Sequence, residues 1–182
     1  MERKVDDIVK EILVSEEEIK EITKKLGAQI SADYAGKDLV LVGMLKGCLP
    51  FMMDLIKHIT IPVLLDFIQV SSYHGGTKST SAVLFKKDIE TNVNGKHVLI
   101  IDDIIDTAKT ITKVLEIFEG RGVESIGLCC LLDKPEGRVV EHTPKYCGKT
   151  IPNEFVIGYG LDFDEYYRNL PYVAIVKEEI YK

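Results

Sequence analysis

The sequence predicts an α/β fold built around a mostly parallel central sheet. Short aliphatic runs typical of buried strands alternate along the chain with segments whose apolar residues recur at helical spacing. Several of these runs end directly in polar or charged turns, and ligands bind at the carboxyl ends of strands in such folds. The chain has 182 residues, 46% of them hydrophobic, which is enough for a single domain with its own core.

A long helix and a first strand–helix unit are predicted near the N-terminus. Ser15 and Glu18 form a capping box, and an apolar stripe at helical spacing follows it. Residues 38–44, DLVLVGM, predict a buried strand. Residues 48–59, CLPFMMDLIKHI, predict a helix with a proline in its first turn.

Two further strands are predicted on either side of a polar segment. Residues 62–70, PVLLDFIQV, and residues 82–85, AVLF, have the aliphatic composition of strands. Residues 71–81 between them, SSYHGGTKSTS, are rich in Gly, Ser and Thr. This composition predicts a mobile loop.

Residues 97–111, HVLIIDDIIDTAKTI, contain the most informative pattern in the chain. The run Val98–Ile101 predicts a strand buried on both faces, and it ends in Asp102 and Asp103. A third carboxylate, Asp106, follows. A bare Asp-Asp pair after a strand is also common as a solvated strand end or as the acidic pocket of a receiver domain.

A small polar turn follows these carboxylates, formed by Thr107, Ala108, Lys109 and Thr110, and the spacing beyond it predicts a helix that begins near Thr107. The unpaired N–H groups of the first helical turn and the helix dipole favour a phosphate there. Carboxylates beside a phosphate are unfavourable unless a cation or a sugar diol lies between them. The pattern therefore indicates a phosphorylated sugar, a hard metal ion, or both.

The C-terminal half contributes one long strand and two short ones. Residues 123–132 predict a strand, and FVIGYGLDF at 155–163 and YVAIV at 172–176 are short apolar pieces. Lys46 and Lys134 each follow a predicted buried strand. Either lysine alone would be interpreted as a solvated surface residue, but their positions place both at the predicted ligand-binding edge.

Composition excludes several classes of function. The net charge of −6 disfavours a general nucleic-acid binder, since affinity for phosphate backbones comes from clustered Lys and Arg. The N-terminus is too charged for a secretory signal, and we expect neither processing nor a membrane span. The cysteines, Cys48, Cys129, Cys130 and Cys147, lack metal-binding spacing and predict structural thiols in a reducing compartment.

The segment 97–111 resembles the phosphoribosyl pyrophosphate (PRPP) signature of the type I phosphoribosyltransferases, and its I-I-D-T-x-K-T form is similar to the hypoxanthine-guanine branch. Further pieces occur in the order found in that family, so the resemblance covers nearly the whole chain. These pieces are L-K-G at 45–47, S-S-Y at 71–73, L-L-D-K-P at 131–135 and F-V-I-G-Y-G-L-D at 155–162, followed by E-Y-Y-R-N-L-P.

The resemblance implies a type I phosphoribosyltransferase fold over residues 1–182 as one domain. A small hood, formed by the N-terminal segment and residues of about 150–171, would lie over the carboxyl edge of the sheet. The loop 71–81 would close over the reactants, with Ser72 and Tyr73 at its tip. The L-K-G turn would contain a cis peptide bond.

The implied reaction is transfer of a 5-phosphoribosyl group from PRPP to N9 of hypoxanthine, guanine or both, which gives IMP or GMP and pyrophosphate. One or two Mg²⁺ ions would take part. The resemblance also implies a homodimer or homotetramer. From composition and charge we expect a cytoplasmic protein that has no membrane or nucleic-acid partner.

The resemblance assigns a role to each matching side chain. Asp106 would be the general base near N7 of the purine, and Lys134 would bind O6 and so select 6-oxopurines. The 5′-phosphate would be bound by Asp106, Thr107, Ala108, Lys109 and Thr110, and the ribose by Asp102 and Asp103. The pyrophosphate would be bound by Lys46, Gly47 and Arg168, and the purine also by Phe155, Val156 and Asp162. Mg²⁺ would be held by Asp102, Asp103 and Asp162.

The chain departs from the pattern of the family at two positions. Asp102 stands where most relatives have Glu, so its carboxylate is one methylene shorter. Ala108 stands where Gly is usual. Because Ala disfavours a positive φ, we expect the phosphate turn either to have right-handed helical dihedral angles or to bind phosphate less closely.

Two other classes of function remain as alternatives. A PRPP-sensing regulator with the same fold, which binds nucleic acid, would keep the PRPP signature. The net charge and the full set of purine-side residues argue against it. A receiver domain needs its acidic pair near the first strand, whereas here the pair lies beyond the middle of the chain.

Overall fold

A computed structural model of the chain describes residues 5–72 and 83–181. This part of the chain forms nine strands, five α-helices and two short 3₁₀ turns. The strands are β1 Val9–Val14, β2 Leu39–Met44, β3 Val63–Ser72, β4 Val83–Lys87, β5 His97–Ile105, β6 Ser125–Asp133, β7 Tyr146–Thr150, β8 Val156–Ile157 and β9 Val173–Val176. The helices are α1 Val5–Ile8, α2 Glu16–Asp33, α3 Leu49–Leu55, α4 Lys109–Glu119 and α5 Glu178–Tyr181, and the 3₁₀ turns are Ile56–His58 and Pro135–Gly137.

Six strands form the central sheet in the order β4-β3-β2-β5-β6-β7. All neighbouring pairs are parallel except β3 and β4, which are antiparallel. The mostly parallel α/β sheet predicted from the sequence is therefore confirmed. Because the chain leaves β2 toward β3 on one side and later returns to β5 on the other, the strand order reverses between β2 and β5.

A second, smaller sheet combines the two ends of the chain. Strand β9 lies between β1 and β8 and is antiparallel to both. The residues of this small sheet come from the N-terminal segment and from the region after residue 150, where the hood was predicted. The division of the chain into a core and a hood stays a prediction.

The core lies on both faces of the central sheet, as expected for a sheet covered by helices on both sides. On one face, residues such as Leu41 and Ile101 pack with Leu26 of α2 and Phe51 of α3. On the other face, the alternate strand residues pack with α4, including Phe118. Among the described residues, no helix is long and apolar enough to span a membrane.

Most predicted elements are present, and the errors lie at their ends and at the sheet edges. The Ser15 hydroxyl accepts a hydrogen bond from the Glu18 amide at 3.1 Å, so the N-cap of α2 is confirmed, whereas the Glu18 carboxylate of the predicted capping box pairs with Lys149. Strands β1 and β7 were not predicted, because their sequences VKEILV and YCGKT lack a long continuous apolar run. Strand β7 is an edge strand paired only with β6.

The PRPP-like segment differs from the prediction in two details. Strand β5 extends to Ile105, so Asp102 and Asp103 lie within the strand rather than after it. Helix α4 begins at Lys109, since Ala108 has φ 61° and ψ 1° and cannot continue a right-handed helix. Of the two alternatives expected for this turn, right-handed helical dihedral angles at Ala108 are therefore wrong, and less close binding of phosphate stays a prediction.

The predicted mobile loop falls largely outside the described residues. Tyr73 is outside them, as is the rest of the segment up to Ala82. Ser72 is the last residue of β3, and its side chain is not described. The roles assigned to this loop stay predictions.

Candidate active site

Three turns meet at the carboxyl edge of the central sheet, on both sides of the point where the strand order reverses. Lys46 and Gly47 follow β2, Asp106 and the turn into α4 follow β5, and Lys134 follows β6. Parallel register brings these strand ends together, since β5 pairs with both β2 and β6. The fold thus brings together candidates that are nearly 90 residues apart in sequence.

Asp106 and Lys134 form a close ion pair at this edge. The Lys134 Nζ lies 2.7 Å from the Asp106 Oδ2. The Lys134 side chain is 11% exposed, whereas that of Asp106 is 45% exposed. A Cβ added at Gly137 would lie 2.0 Å from the Asp106 Oδ1, so a larger residue there would displace this carboxylate. The pair presents one acidic and one basic group side by side.

The turn into α4 lines a cavity of about 160 Å³. The lining includes Asp102, Asp106, Thr107, Ala108 and Thr110. The cavity opens at the N-terminus of an 11-residue helix, where free N–H groups and the helix dipole favour an anion. It has the donors that a phosphate requires.

Asp102 and Asp103 are half-buried neighbours with raised pKa values. Burial and then the charge of Asp103 raise the pKa of Asp102 well above its usual range. Burial also raises the pKa of Asp103, although the Arg168 charge opposes this rise. Two adjacent carboxylates of this kind are stabilised by a cation or by hydroxyl donors.

The turn after β2 packs closely against both β5 and a C-terminal loop. The Leu45–Lys46 peptide bond is cis, as the resemblance implied. A Cβ added at Gly47 would lie 1.7 Å from the Asp103 Oδ2. A Cβ added at Gly160 would lie 2.0 Å from the Gly47 carbonyl oxygen. A side chain at Gly160 would therefore clash with the backbone after β2, and one at Gly47 would displace the Asp103 carboxylate.

A network of charged groups connects Lys46 and Arg168. The Lys46 Nζ lies 2.7 Å from the Glu165 Oε2, and an Arg168 Nη2 lies 3.4 Å from the same oxygen. The same Nη2 lies 2.8 Å from the Asp162 Oδ1, while the Asp162 Oδ2 accepts a hydrogen bond from the Glu165 amide. The buried Nε of Arg168 has no hydrogen-bond partner within the described residues. This guanidinium group therefore has capacity for a further acceptor.

Phe155 is half-buried in the core of the small sheet. Its ring stacks on Tyr181 at a centroid distance of 5.1 Å and contacts Phe163 edge-on at 5.8 Å. Val156 is buried and pairs with Ile175 of β9. Tyr181 thus covers one face of the Phe155 ring.

The structure does not bring every candidate into one cluster. Within residues 5–72 and 83–181, no group of three or more His, Cys, Asp or Glu side chains is arranged to hold a metal ion. Asp162 is paired with Arg168 rather than with Asp102 and Asp103. A larger cavity, of about 490 Å³, lies between α2 and β7 and is lined by none of the predicted site residues.

Three residues at the site were not found by the sequence analysis: Gly137, Arg138 and Glu165. Glu165 lies within a matched motif, and Arg138 lies three residues after another. Their charges gave a signal, but nothing in the sequence indicates which groups they contact. Gly137 gave no signal, because a close approach to its Cα becomes visible only in three dimensions.

Comparisons with known proteins agree with this geometry. The family model of the phosphoribosyl transferase domain matches residues 9–164. A hypoxanthine-guanine phosphoribosyltransferase from Streptococcus pneumoniae (strain ATCC BAA-255 / R6) is 52% identical over 177 residues, which cover 97% of this chain and 98% of that protein. The crystal structure of a hypoxanthine phosphoribosyltransferase from Staphylococcus aureus superimposes with a TM-score of 0.93 at 49% identity, covering 100% of this chain and 99% of that one.

Proposed function

The chain belongs to the phosphoribosyltransferase family, and from this premise we propose that it transfers the 5-phosphoribosyl group of PRPP to N9 of hypoxanthine, guanine or both. The products are IMP or GMP and pyrophosphate, so the enzyme acts in purine salvage. The names of its relatives support the choice of base, since they are hypoxanthine-guanine or hypoxanthine phosphoribosyltransferases.

The observation that carries this proposal is the Asp106–Lys134 pair, with its 2.7 Å separation. N7 and O6 are neighbouring atoms on one edge of a 6-oxopurine. A carboxylate and an ammonium group at hydrogen-bond distance from each other match these two atoms. Lys134 donates to O6, and Asp106 accepts the proton of N7. Adenine has an amino group in place of O6, so the buried lysine would meet a second donor and reject it.

Proton removal at N7 makes N9 the nucleophile. As the N9–C1′ bond forms, the bond from C1′ to the pyrophosphate oxygen breaks, and the N7 proton remains on Asp106. The group that develops negative charge is the departing pyrophosphate. Lys46 and Arg168 lie on one side of the site, and their cationic groups can stabilise the departing pyrophosphate.

The PRPP molecule fits the remaining residues of the sheet edge. Its 5′-phosphate would occupy the cavity at the start of α4, bound by residues 107–110. Its ribose hydroxyls would donate to Asp102 and Asp103, whose pKa values are raised by burial. The Phe155 face not covered by Tyr181 would stack on the purine, and Val156 would offer backbone groups to its edge.

Mg²⁺ fits the donor set of this site. Asp102 and Asp103 are hard oxygen ligands whose mutual repulsion a divalent cation would relieve. Asp162 would offer an oxygen to a second ion, in exchange for part of its contact with Arg168. Mg²⁺ is usually held by one or two carboxylates together with substrate phosphates, so a complete protein cage is not required. When bound, the ion neutralises charge on the pyrophosphate.

Three wider expectations accompany this function. Ser72 and Tyr73 would close over the reactants and exclude water that hydrolyses PRPP. The free, mostly buried cysteines of the described residues fit a reducing compartment such as the cytoplasm. A homodimer or homotetramer is expected, and light scattering of the purified protein measures this oligomeric state.

A steady-state assay tests the proposal. PRPP and Mg²⁺ are supplied with hypoxanthine, guanine, xanthine or adenine, and wild type is compared with Asp106→Asn. We expect turnover of 6-oxopurines but not of adenine, and a kcat about 100-fold lower or more in the variant. Asp38→Asn is the matched control, because Asp38 also pairs with a lysine, Lys96, but lies outside the site. Binding of PRPP with no turnover of any base would favour the regulatory alternative.

A further inference from the structure

Arg138 is a half-buried arginine directed at the backbone of the turn that carries Asp106. Its Nη1 donates hydrogen bonds to the Ile105 carbonyl oxygen at 2.9 Å and to the Asp106 carbonyl oxygen at 2.5 Å. Its Nη2 forms an ion pair with Asp133, and its Nε donates to the His142 carbonyl oxygen at 3.3 Å. All three nitrogen atoms of the guanidinium group are therefore bonded within the protein.

The segment around Arg138 binds the same turn at further points. The Lys134 amide donates to the Ile105 carbonyl oxygen at 2.9 Å, and the Val139 and Val140 amides both donate to the Thr107 carbonyl oxygen at 3.1 Å. Three consecutive carbonyl groups, from Ile105 to Thr107, thus accept hydrogen bonds from residues 134–140. Arg138 is the side chain in this segment that binds two of them.

The chemistry of this contact favours a geometric role over a stabilising one. The Arg138 side chain is 13% exposed and that of Asp133 is 16% exposed, and a buried ion pair is often no more stabilising than apolar residues of similar size. The planar guanidinium fork does, however, fix the directions of its acceptors. An arginine therefore suits a site where a backbone turn has to be held in one position.

The position of this turn determines where the Asp106 carboxylate lies. Asp106 is 45% exposed; Lys134 pairs with its carboxylate on one side, and Gly137 lies close to it on another. A shift of its backbone would separate its carboxylate from Lys134, and a misplacement of about 1 Å at a reacting group can lower a rate about 100-fold.

We propose that Arg138, anchored by Asp133, is a positioning residue that holds Asp106 at N7 of the purine through the Ile105 and Asp106 carbonyl groups. This inference rests on the proposed role of Asp106 as general base. Arg138 itself does not contact the reactants. Lysine cannot replace it, because a single ammonium group cannot bind the two carbonyl oxygens and the Asp133 carboxylate in the same fork geometry.

A double-mutant cycle tests this inference with Arg138→Lys, Asp106→Asn and the combined variant. We expect Arg138→Lys to lower kcat about 10- to 100-fold in the wild-type background, but less than about threefold in the Asp106→Asn background. Calorimetric titration with PRPP should still give one site per chain, which shows that the loss is in kcat rather than in the fraction of folded enzyme. Arg121→Lys is the matched control, since Arg121 also binds an aspartate, Asp88, at 2.8 and 2.7 Å, but lies outside the site.

The outcomes separate this inference from the proposed function. If Arg138→Lys lowers kcat by the same factor in both backgrounds, Arg138 does not act through Asp106 and the inference is overturned while the proposed function stands. If Asp106→Asn leaves kcat unchanged, both the general base and the inference are overturned. If Arg138→Lys fails to fold, Asp133→Asn takes its place in the cycle, and the same non-additive loss in kcat is expected.

Discussion

Ala108 occupies a backbone conformation that alanine normally avoids. Its φ of 61° lies in the left-handed region, which costs an L-residue other than glycine about 1–2 kcal/mol. The resemblance implied that Ala stands where Gly is usual in the family, but the sequence did not show which conformation Ala108 adopts. That conformation is set by residues distant in sequence, because the Val139 and Val140 amides hold the Thr107 carbonyl group directly before it.

Ala108→Gly should therefore stabilise the protein. Relief of the left-handed strain, partly offset by the greater freedom of glycine in the unfolded chain, predicts a gain of about 0.5–1 kcal/mol, or about 2–3 °C in Tm. We expect turnover to persist and PRPP affinity to change by less than about tenfold. Thermal unfolding and calorimetric PRPP titration measure both effects.

The control for this prediction is Ala28→Gly at an exposed position within α2. There the same substitution should destabilise the protein by about 1 kcal/mol, because glycine weakens a right-handed helix. A loss of stability or a complete loss of activity in Ala108→Gly would show that the placement of the phosphate turn is wrong.

Glu165 forms ion pairs with Lys46 and Arg168, the two cationic residues that we assign to pyrophosphate. The hydrogen bond from Lys46, with the charge of Arg168, lowers the pKa of Glu165. PRPP must compete with this carboxylate for both partners. Because the pair is exposed and screened by solvent, we expect Glu165→Gln to lower the KM for PRPP only about two- to fivefold, and less at high salt.

Steady-state kinetics at low and high ionic strength test this effect. Glu154→Gln is the control, since Glu154 lies in the C-terminal half but forms none of the ion pairs at the site. A higher KM for PRPP in Glu165→Gln would mean that Glu165 helps to hold Lys46 and Arg168 in place instead of competing with PRPP.

At the scale of elements, the connection between β4 and β5 depends on one carboxylate in β3. Asp66 is 9% exposed and accepts hydrogen bonds from the Phe67 amide at 2.7 Å and from the Glu90 and Thr91 amides at 2.9 Å. Lys87 of β4 lies 3.4 Å from the same side chain. Asp66 therefore attaches the antiparallel edge of the sheet to the segment that leads into β5 and its site residues.

The ionisation of Asp66 should make part of the stability depend on pH. Burial opposes ionisation, but the hydrogen bonds, first from Thr91 and then from Phe67, lower the pKa of Asp66 to about 2. Because the pKa is lower in the folded than in the unfolded state, the stabilisation is present above about pH 4 and is lost as the pH falls toward 2. It amounts to about 2 kcal/mol at neutral pH.

Asp66→Asn should therefore be less stable than wild type at pH 7, and the difference should shrink between about pH 4 and pH 2. Urea unfolding at a series of pH values gives the difference directly. Asp38→Asn, at an exposed carboxylate, should show little change in stability at any pH. A constant difference between Asp66→Asn and wild type across the series would exclude ionisation as its cause.

Elements with a strong internal pattern could be predicted from sequence, and those formed mainly by pairing could not. Strand β2 and the segment Val98–Ile101 of β5 are continuous apolar runs, so their pattern alone identifies them. Strand β7 contains Gly148 and Lys149 and is extended because it pairs with β6. The later part of β5 contains the polar residues Asp102 and Asp103, and its strand conformation also depends on pairing with β6.

At the scale of the whole molecule, the order of motifs predicted the site because parallel strands gather their carboxyl ends at one edge. The contacts that depend on loops could not be predicted in this way. The loop that follows β8 approaches the turn after β2 so closely that a Cβ at Gly160 would lie 2.0 Å from the Gly47 carbonyl oxygen. This contact attaches the segment between β8 and β9, two strands of the small sheet, to the central sheet.

Gly160→Ala tests whether this contact matters for activity. Gly160 has a φ of 101°, and its carbonyl oxygen accepts a hydrogen bond from Arg168 at 2.7 Å. An added methyl group would move the loop away from Lys46 and Gly47 and would displace Arg168 with it. We expect kcat/KM for PRPP to fall at least about tenfold, because both cationic groups that we assign to pyrophosphate would lose their relative positions.

Gly95→Ala separates this steric effect from the backbone strain that both substitutions cause. Gly95 also has a positive φ, of 70°, but a Cβ there would meet nothing within 4 Å. It should lose about 1–2 kcal/mol of stability through strain alone and keep its kcat/KM. If the two variants lose similar stability and both keep full activity, the close approach of the C-terminal loop serves only packing. A loss of activity confined to Gly160→Ala would show that the contact between the two sheets holds the pyrophosphate side of the site in place.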